Sequence, residues 1–187
     1  MQIKKQYFKT QAAFLRLFRN KFKYNMKQKI ILQVFLIFLF LSAKAQENIP
    51  PLNQKIVDYV TTTIGTKVDR GECWDLAHQA LSQNQAIWDW AYEYGQLIDA
   101  VKETVYPGDL IQFENVEVKY KKGNATFTET MDHHTAIVYR VIDQENKIFE
   151  LAHQNTEFSG RKVGLSEFNL KNVTKGKTMF YRPVPSD

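Results

Sequence analysis

Gly71-Glu72-Cys73-Trp74-Asp75-Leu76-Ala77 is the stretch on which the reading of this 187-residue chain turns. It holds the single cysteine and stands where a helix begins. Apolar residues fall at Cys73, Leu76, Ala77, Ala80 and Leu81, the i, i+3, i+4, i+7, i+8 spacing of one helical face. A cysteine in the first helical turn lies beside unpaired backbone N–H groups and the positive end of the macrodipole, both of which favour a thiolate. Glu72 and Asp75 oppose that effect, so the sequence calls for a basic partner such as histidine. Without one, Cys73 reads as a small buried hydrophobe.

Upstream, Met26-Lys27-Gln28-Lys29, the apolar run Ile30–Leu41 and Ser42-Ala43-Lys44-Ala45-Gln46 spell a charged segment, a short hydrophobic segment and an Ala-x-Ala cut site. Residues 1–45 are thus expected to be a signal peptide, with Met26 the conventional start, cleavage near Ala45 and a secreted or periplasmic product. The run has 12 residues, short of the about 20 that span a bilayer. No stable membrane span is expected after cleavage. All 20 acidic residues follow position 45, whereas 10 of the 25 basic ones precede it. The mature part keeps 15 basic against 20 acidic residues, a net of −5, so the basic balance of the whole chain belongs to the leader. With no basic stripe carrying interleaved aromatics, a nucleic-acid partner is rejected. An exported chain with one cysteine has no internal disulfide to form, and its thiol either pairs between chains or is kept for reactivity.

The mature chain is long enough for one domain. Residues 46–54 read as a linker containing Pro50-Pro51 and residues 55–187 as the domain. Leu52, Ile56, Tyr59, Val60 and Ile64 mark an amphipathic helix closed near Gly65. Between 84 and 106, Trp88, Trp90, Tyr92 and Tyr94 alternate as in an extended segment, which suits a core edge better than a ligand platform. From Tyr106 the texture is β. Pro107-Gly108-Asp109 is a turn, and Leu110–Phe113 is a strand behind it. Val116–Tyr120 and Ala125–Thr130 flank a hairpin turn at Lys121-Lys122-Gly123-Asn124. Thr135–Ile142, Lys147–His153, Val163–Leu165 and Thr178–Arg182 complete the strands. Helices first and then strands with short connections give an α+β fold on a mostly antiparallel sheet.

Of the four histidines, His78 reads as surface or packing. His133 and His134 stand at the mouth of the Thr135–Ile142 strand, and only one of them can face a given site. His153 closes the next strand, with Asn155 two residues on and on the same face. Antiparallel neighbours then bring His134 and His153 to one end of the sheet. A cysteine, a histidine to take its proton and a polar group to orient that histidine form a nucleophile–base–orienter set.

Ile64-Gly65-Thr66-Lys67-Val68-Asp69-Arg70-Gly71-Glu72-Cys73, Pro107-Gly108-Asp109-Leu110-Ile111-Gln112-Phe113, His134-Thr135-Ala136-Ile137-Val138 and His153-Gln154-Asn155 together resemble the NlpC-like and CHAP peptidases and amidases. These are papain-fold cysteine enzymes, most of which cut peptide or amide bonds in bacterial peptidoglycan. The resemblance covers residues 55–183 and implies a papain-like fold, Cys73 as nucleophile, His134 as base, His153 as orienter and Asn155 as its polar companion. It implies no cofactor. Trp74-Asp75 follows the cysteine where NlpC-like enzymes usually carry Ser-Gly, and Val68 stands near the place of their upstream tyrosine. Two other readings stay open. One is a non-catalytic wall- or glycan-binding module using the Trp88–Tyr94 aromatics. The other is a zinc amidase using Asp132, His133, His134 and His153, although adjacent histidines are awkward co-ligands.

Overall fold

Helix α1 spans Pro51–Thr63 and buries Leu52, Asn53, Ile56, Val60 and Thr63 on one face. Pro51 sits in the first turn, where its missing N–H costs nothing. The helix therefore begins inside the 46–54 stretch read as linker, because Pro-Pro starts it instead of ending the connection. The computed structural model describes residues 49–186, so the signal peptide expected over residues 1–45 lies outside the described residues. No helix among the described residues is long and apolar enough to cross a membrane.

Helix α2, Cys73–Gln83, buries Leu76, Ala77, Ala80 and Leu81. Its start is fixed by polar bonds. The Glu72 N–H donates to Asp75 Oδ2 at 3.0 Å, and Arg70 pairs with the other carboxylate oxygen. Burial would raise the Asp75 carboxyl, but the Arg70 guanidinium and the Glu72 amide outweigh it and hold it below the usual range. The Asp that departs from the NlpC-like pattern is thus the residue that ties off the helix.

The strands are β1 (Ala86–Ile87), β2 (Gln96–Ile98), β3 (Leu110–Lys122), β4 (Ala125–Asp143), β5 (Ile148–His153), β6 (Gly164–Asn169), β7 (Val173–Arg182) and β8 (Val184–Pro185). Strands β2-β7-β3-β4-β5-β6 form one antiparallel sheet in that order, and β1 pairs with β8. Alternation along the strands supplies both faces. Leu110, Ile137, Ala152 and Tyr181 pack with α1 and α2, while Ile111, Phe113, Ala136, Val138, Phe149, Leu151, Phe168 and Phe180 form a second core on the other side. Phe113 of β3 meets Phe168 of β6 at 5.2 Å between centroids, and Phe149 of β5 meets Phe180 of β7 at 5.7 Å. Each pair is three ladder steps apart, about 14 Å in a flat sheet, so the sheet curls around this second core.

Two sequence expectations are corrected here. The β3–β4 hairpin turns at Gly123-Asn124 as anticipated, but its arms are continuous, with Lys122↔Ala125 through Leu110↔Ile137 in one register. The irregularity that divides the pattern near Asn115 lies on the β7 side, where the register shifts between Glu114 and Glu117. His133 and His134 therefore sit within a long strand, not at the mouth of a short one. The 84–106 segment contributes the two short strands β1 and β2, and it buries Trp88 and Tyr94 in the helix-side core.

Pro107-Gly108-Asp109 clasps helix to sheet. Gly108 has φ +85°, and a Cβ there would lie 2.4 Å from the Asn53 carbonyl oxygen. Asp109 is fully buried; it accepts Asn53 Nδ2 at 2.8 Å, the Tyr106 N–H at 2.9 Å and Arg182 Nη2 at 3.0 Å.

Candidate active site

The tip of α2 fits against β4 at a defined place. β5 pairs with β4 up to Ile137↔Ala152, and by that register His153, the last residue of β5, faces Ala136. Beyond it β5 no longer flanks β4, and there the Thr135 N–H points at the Cys73 sulfur. That amide belongs to the peptide joining His134 to Thr135, so the sulfur rests beside the backbone of His134.

His134 and His153 project to the curled side of the sheet, and both are buried. His134 Nε2 and His153 Nδ1 share a hydrogen bond of 2.9 Å. His153 Nε2 and Ser166 Oγ share the next, at 2.8 Å. Phe113 and Phe158 close in on the rings, with centroids 6.2 Å from His134 and 5.5 Å from His153. Both rings thus lie with the second core, on the face away from α2 and Cys73, so the structure does not bring them to the thiol as the sequence reading expected. His133, one residue earlier, points to the helix-side face, where Gln112 Nε2 lies 3.3 Å from its Nδ1 and where Cys73 stands. Its Nδ1 lies 2.8 Å from Glu114 Oε1, and Tyr92 packs edge-on against its ring at 4.2 Å.

Asn155 is placed differently from expectation. β5 ends at His153, Asn155 adopts φ +60°, and its side chain donates to Glu72 Oε2 at 2.9 Å. Alternation holds only within a strand, so two-residue spacing past its end does not put Asn155 beside the imidazole. Gln154, which the sequence did not flag, is fully buried. It accepts the Val68 N–H at 3.2 Å and donates to the Val68 and Glu72 carbonyls at 3.0 and 2.8 Å. Arg161 adds a bond to the Arg70 carbonyl and an ion pair with Glu72, both at 3.2 Å. The loop carrying Cys73 is thereby tied to the strand end carrying His153.

Ser166 also went unread in the sequence. A signal was available, since Gly164, Ser166 and Phe168 alternate with Leu165 and Glu167, which leaves a lone hydroxyl on the face that carries Phe168. Asp132, His133, His134 and His153 do not converge as a ligand set, because His133 and His134 occupy opposite faces. No metal-ligating cluster of three or more His, Cys, Asp or Glu occurs among the described residues.

The aromatic segment borders this site. Trp74 Nε1 donates to the Ala91 carbonyl at 2.6 Å, and the Trp74 ring stacks on His78 at 4.6 Å. Trp88 stacks on Trp90 at 4.7 Å. Packing is therefore the role of His78. Trp90 and Tyr92 remain exposed. Behind the sulfur, Thr135 Oγ1 donates to Gln112 Oε1 at 2.7 Å and meets Tyr94 Oη at 2.8 Å.

Electrostatically the resting thiol and the His134 and His153 rings are uncharged. Burial pushes the Cys73 thiol up, the amides of Thr135, Trp74 and Cys73 pull it back, and the Glu72 carboxylate adds to the rise. Burial and the neighbouring His133 push His134 down to about 4. Burial and His134 push His153 down to about 3. The helix-tip stabilisation of a thiolate expected from the sequence is thus outweighed by desolvation.

This has a consequence for stability. Between an ordinary histidine value of about 6.5 and these lowered values the unfolded chain binds more protons than the folded one, so stability rises with pH across that window. It is complete above the unfolded value and is lost as pH falls toward about 4 and about 3. Urea midpoints are expected to drop between pH 7.5 and pH 5, and to drop less in His153→Asn. Equal slopes in the two proteins would count against buried neutral rings.

A helix pair on a curled antiparallel sheet, with a cysteine at a helix tip and histidines on the facing strands, defines a cysteine-proteinase-fold domain, a hydrolase fold. The chain belongs to the AIM3/BBC1 cysteine proteinase-fold domain family, whose model matches residues 51–187. It is 26% identical over 149 residues to Altered inheritance of mitochondria protein 3 of Debaryomyces hansenii. That match covers 70% of this chain but only 16% of the curated relative's length. Among solved structures it is similar to the crystal structure of Ly7917 (13% identity, TM-score 0.42, covering 69% of this chain and 62% of that one). It is also similar to Ly7917 with the hydrolyzing product of MDP (15% identity, TM-score 0.42, covering 70% and 63%).

Proposed function

We propose that this chain is an exported cysteine hydrolase of amide or peptide bonds, acting on peptidoglycan stem peptides or a related amide. The observation that carries this reading is a thiol at the tip of α2 on the same face of the sheet as His133, whose Nδ1 lies 2.8 Å from Glu114 Oε1. In this reading Cys73 is the nucleophile and His133 the base, oriented by Glu114, while the His134 and His153 expected from the sequence to serve lie on the other face of the sheet. His133 takes the thiol proton as the sulfur attacks the carbonyl carbon. The oxygen that becomes negative faces the Cys73 N–H at the helix tip. When the C–N bond breaks, His133 returns the proton to the leaving amine. Water then attacks the thioester, and the acid departs with the thiol restored. The peptidoglycan substrate rests on the NlpC-like and CHAP resemblance, and export rests on the residues before Gln46.

The protein is to be incubated with purified peptidoglycan and the fragments read by mass spectrometry. New amine and carboxyl ends are expected, absent after alkylation of Cys73. A binding module is favoured only by the exposed Trp90 and Tyr92. It takes over as the better reading if sacculi are bound, binding survives Cys73→Ala, and no ends are released.

A further inference from the structure

Two cross-strand pairs are neighbours on the helix-side face of the sheet, Gln112 opposite Thr135 and Glu114 opposite His133. Gln112 is fully buried, and its side chain joins the two pairs. Its Oε1 accepts from Thr135 Oγ1 at 2.7 Å and from Tyr94 Oη at 3.3 Å. Its Nε2 donates to Glu114 Oε1 at 2.8 Å. The same carboxylate oxygen lies 2.8 Å from His133 Nδ1, so the amide and the ring hold it together.

The chemistry of Glu114 assigns the donors. The His133 ring, aided by the Gln112 amide and against desolvation, holds the Glu114 carboxyl below its usual range. An ionised carboxylate only accepts, so both of its neighbours donate. His133 therefore carries its proton on Nδ1 and leaves Nε2 bare, the tautomer that a base needs. Gln112 Nε2 lies 3.3 and 3.4 Å from the two ring nitrogens, nearly equidistant and so in line with neither. The amide thus acts on the ring through Glu114. That carboxylate is partly exposed, and among the described residues Gln112 is the buried side chain that fixes it.

We propose that Gln112 is a positioning residue: its amide holds Glu114 against His133 Nδ1, while its carbonyl oxygen holds Thr135, whose own N–H meets the Cys73 sulfur. One buried side chain then ties the orienter of the base to the peptide that carries the nucleophile's contact. The consequence for turnover rests on the hydrolase reading, whereas the ring tautomer does not. Gln112 acts from beneath the face and touches no substrate. Its backbone is paired on both sides, with Thr135 of β4 and Met179 of β7, so the sheet sets its position.

The test is long-range ¹H–¹⁵N correlation of the His133 ring at neutral pH, in the wild-type chain, Gln112→Met and Gln112→Asn. The wild type is expected to show Nδ1–H alone. Gln112→Met keeps the volume and leaves Thr135 and Tyr94 bonded to each other at 2.8 Å, but it releases Glu114. An unheld imidazole prefers its Nε2–H form, so that form is expected to appear in this variant. With it kcat falls on the order of tenfold at unchanged KM, less than the about 10⁴-fold loss seen when a triad histidine is held in the wrong tautomer. Gln112→Asn keeps the amide one methylene short of Glu114 and gives the same ring signature should the methionine variant not fold. The proposal is overturned if wild-type His133 carries its proton on Nε2, or if the folded variants keep a pure Nδ1–H ring, whatever their rates. The spectra need no substrate. A tautomer shift with no product from any peptidoglycan would sink the hydrolase reading and leave the role of Gln112 standing.

Discussion

Cys73→Ala is expected to reduce amide hydrolysis by about 10⁴- to 10⁶-fold, the range seen when one member of a cooperating nucleophile–base set is removed. The sulfur has no chemical substitute nearby, since Thr135 Oγ1 is committed to Gln112 and Tyr94. His133→Ala should be comparably severe, and the double variant hardly worse than either, because the two groups act in one step. His134→Ala should leave most of the turnover per folded molecule, because that ring is turned toward Phe113 and His153 on the opposite face. Rates of product release with the substrate found by mass spectrometry check all four proteins. If His134→Ala proves severe and His133→Ala mild, the proton passes on the wrong side of β4 for this mechanism.

The largest loss of stability is expected at Asp109, far from the sulfur. Its carboxylate is fully buried and receives Arg182, which is itself largely covered and stacks over Tyr106 at 4.7 Å. Asp109→Ala leaves that guanidinium with the Thr104 carbonyl at 2.6 Å but without its counter-charge, and it removes the acceptor from Asn53 in α1. Breaking a buried pair from one side typically costs about 3–5 kcal/mol. Urea unfolding at neutral pH should show a loss of that order. A loss below about 1 kcal/mol would mean that the clasp contributes little. Asp109→Asn, which keeps the shape and one acceptor oxygen, should fall between.

The α+β order was legible because each signal was local: an apolar stripe at helical spacing from Cys73 to Leu81, Pro-Gly-Asp before a strand, and a two-residue turn at Gly123-Asn124. The meeting of His134 with His153 was legible too, since neighbouring antiparallel strands carry their ends together. What could not be read was any arrangement that depends on where a strand stops. Asn155 was assigned by alternation, yet β5 had already ended and the backbone turned left-handed. Strand length failed in the other direction, because polar residues such as Asp132 and His133 look like a loop until the β3 partner is known. Ser166 and Gln154 escaped for a further reason. Their bonds reach residues 13 and 86 positions away, and no short-range pattern records such a bond.

Residues 154–163 carry a consequence of their own. Gln154, Asn155 and Arg161 grip the Val68–Glu72 loop from one side, and Gly71 lies so close that a Cβ would come within 2.7 Å of Arg161 Cβ. The placement of the helix tip that carries the sulfur is therefore set by this surface connection as well as by the helix-side core. Lengthening that connection would detune the chemistry in a molecule that still melts normally, so evolution can silence or retune this domain there without rebuilding it.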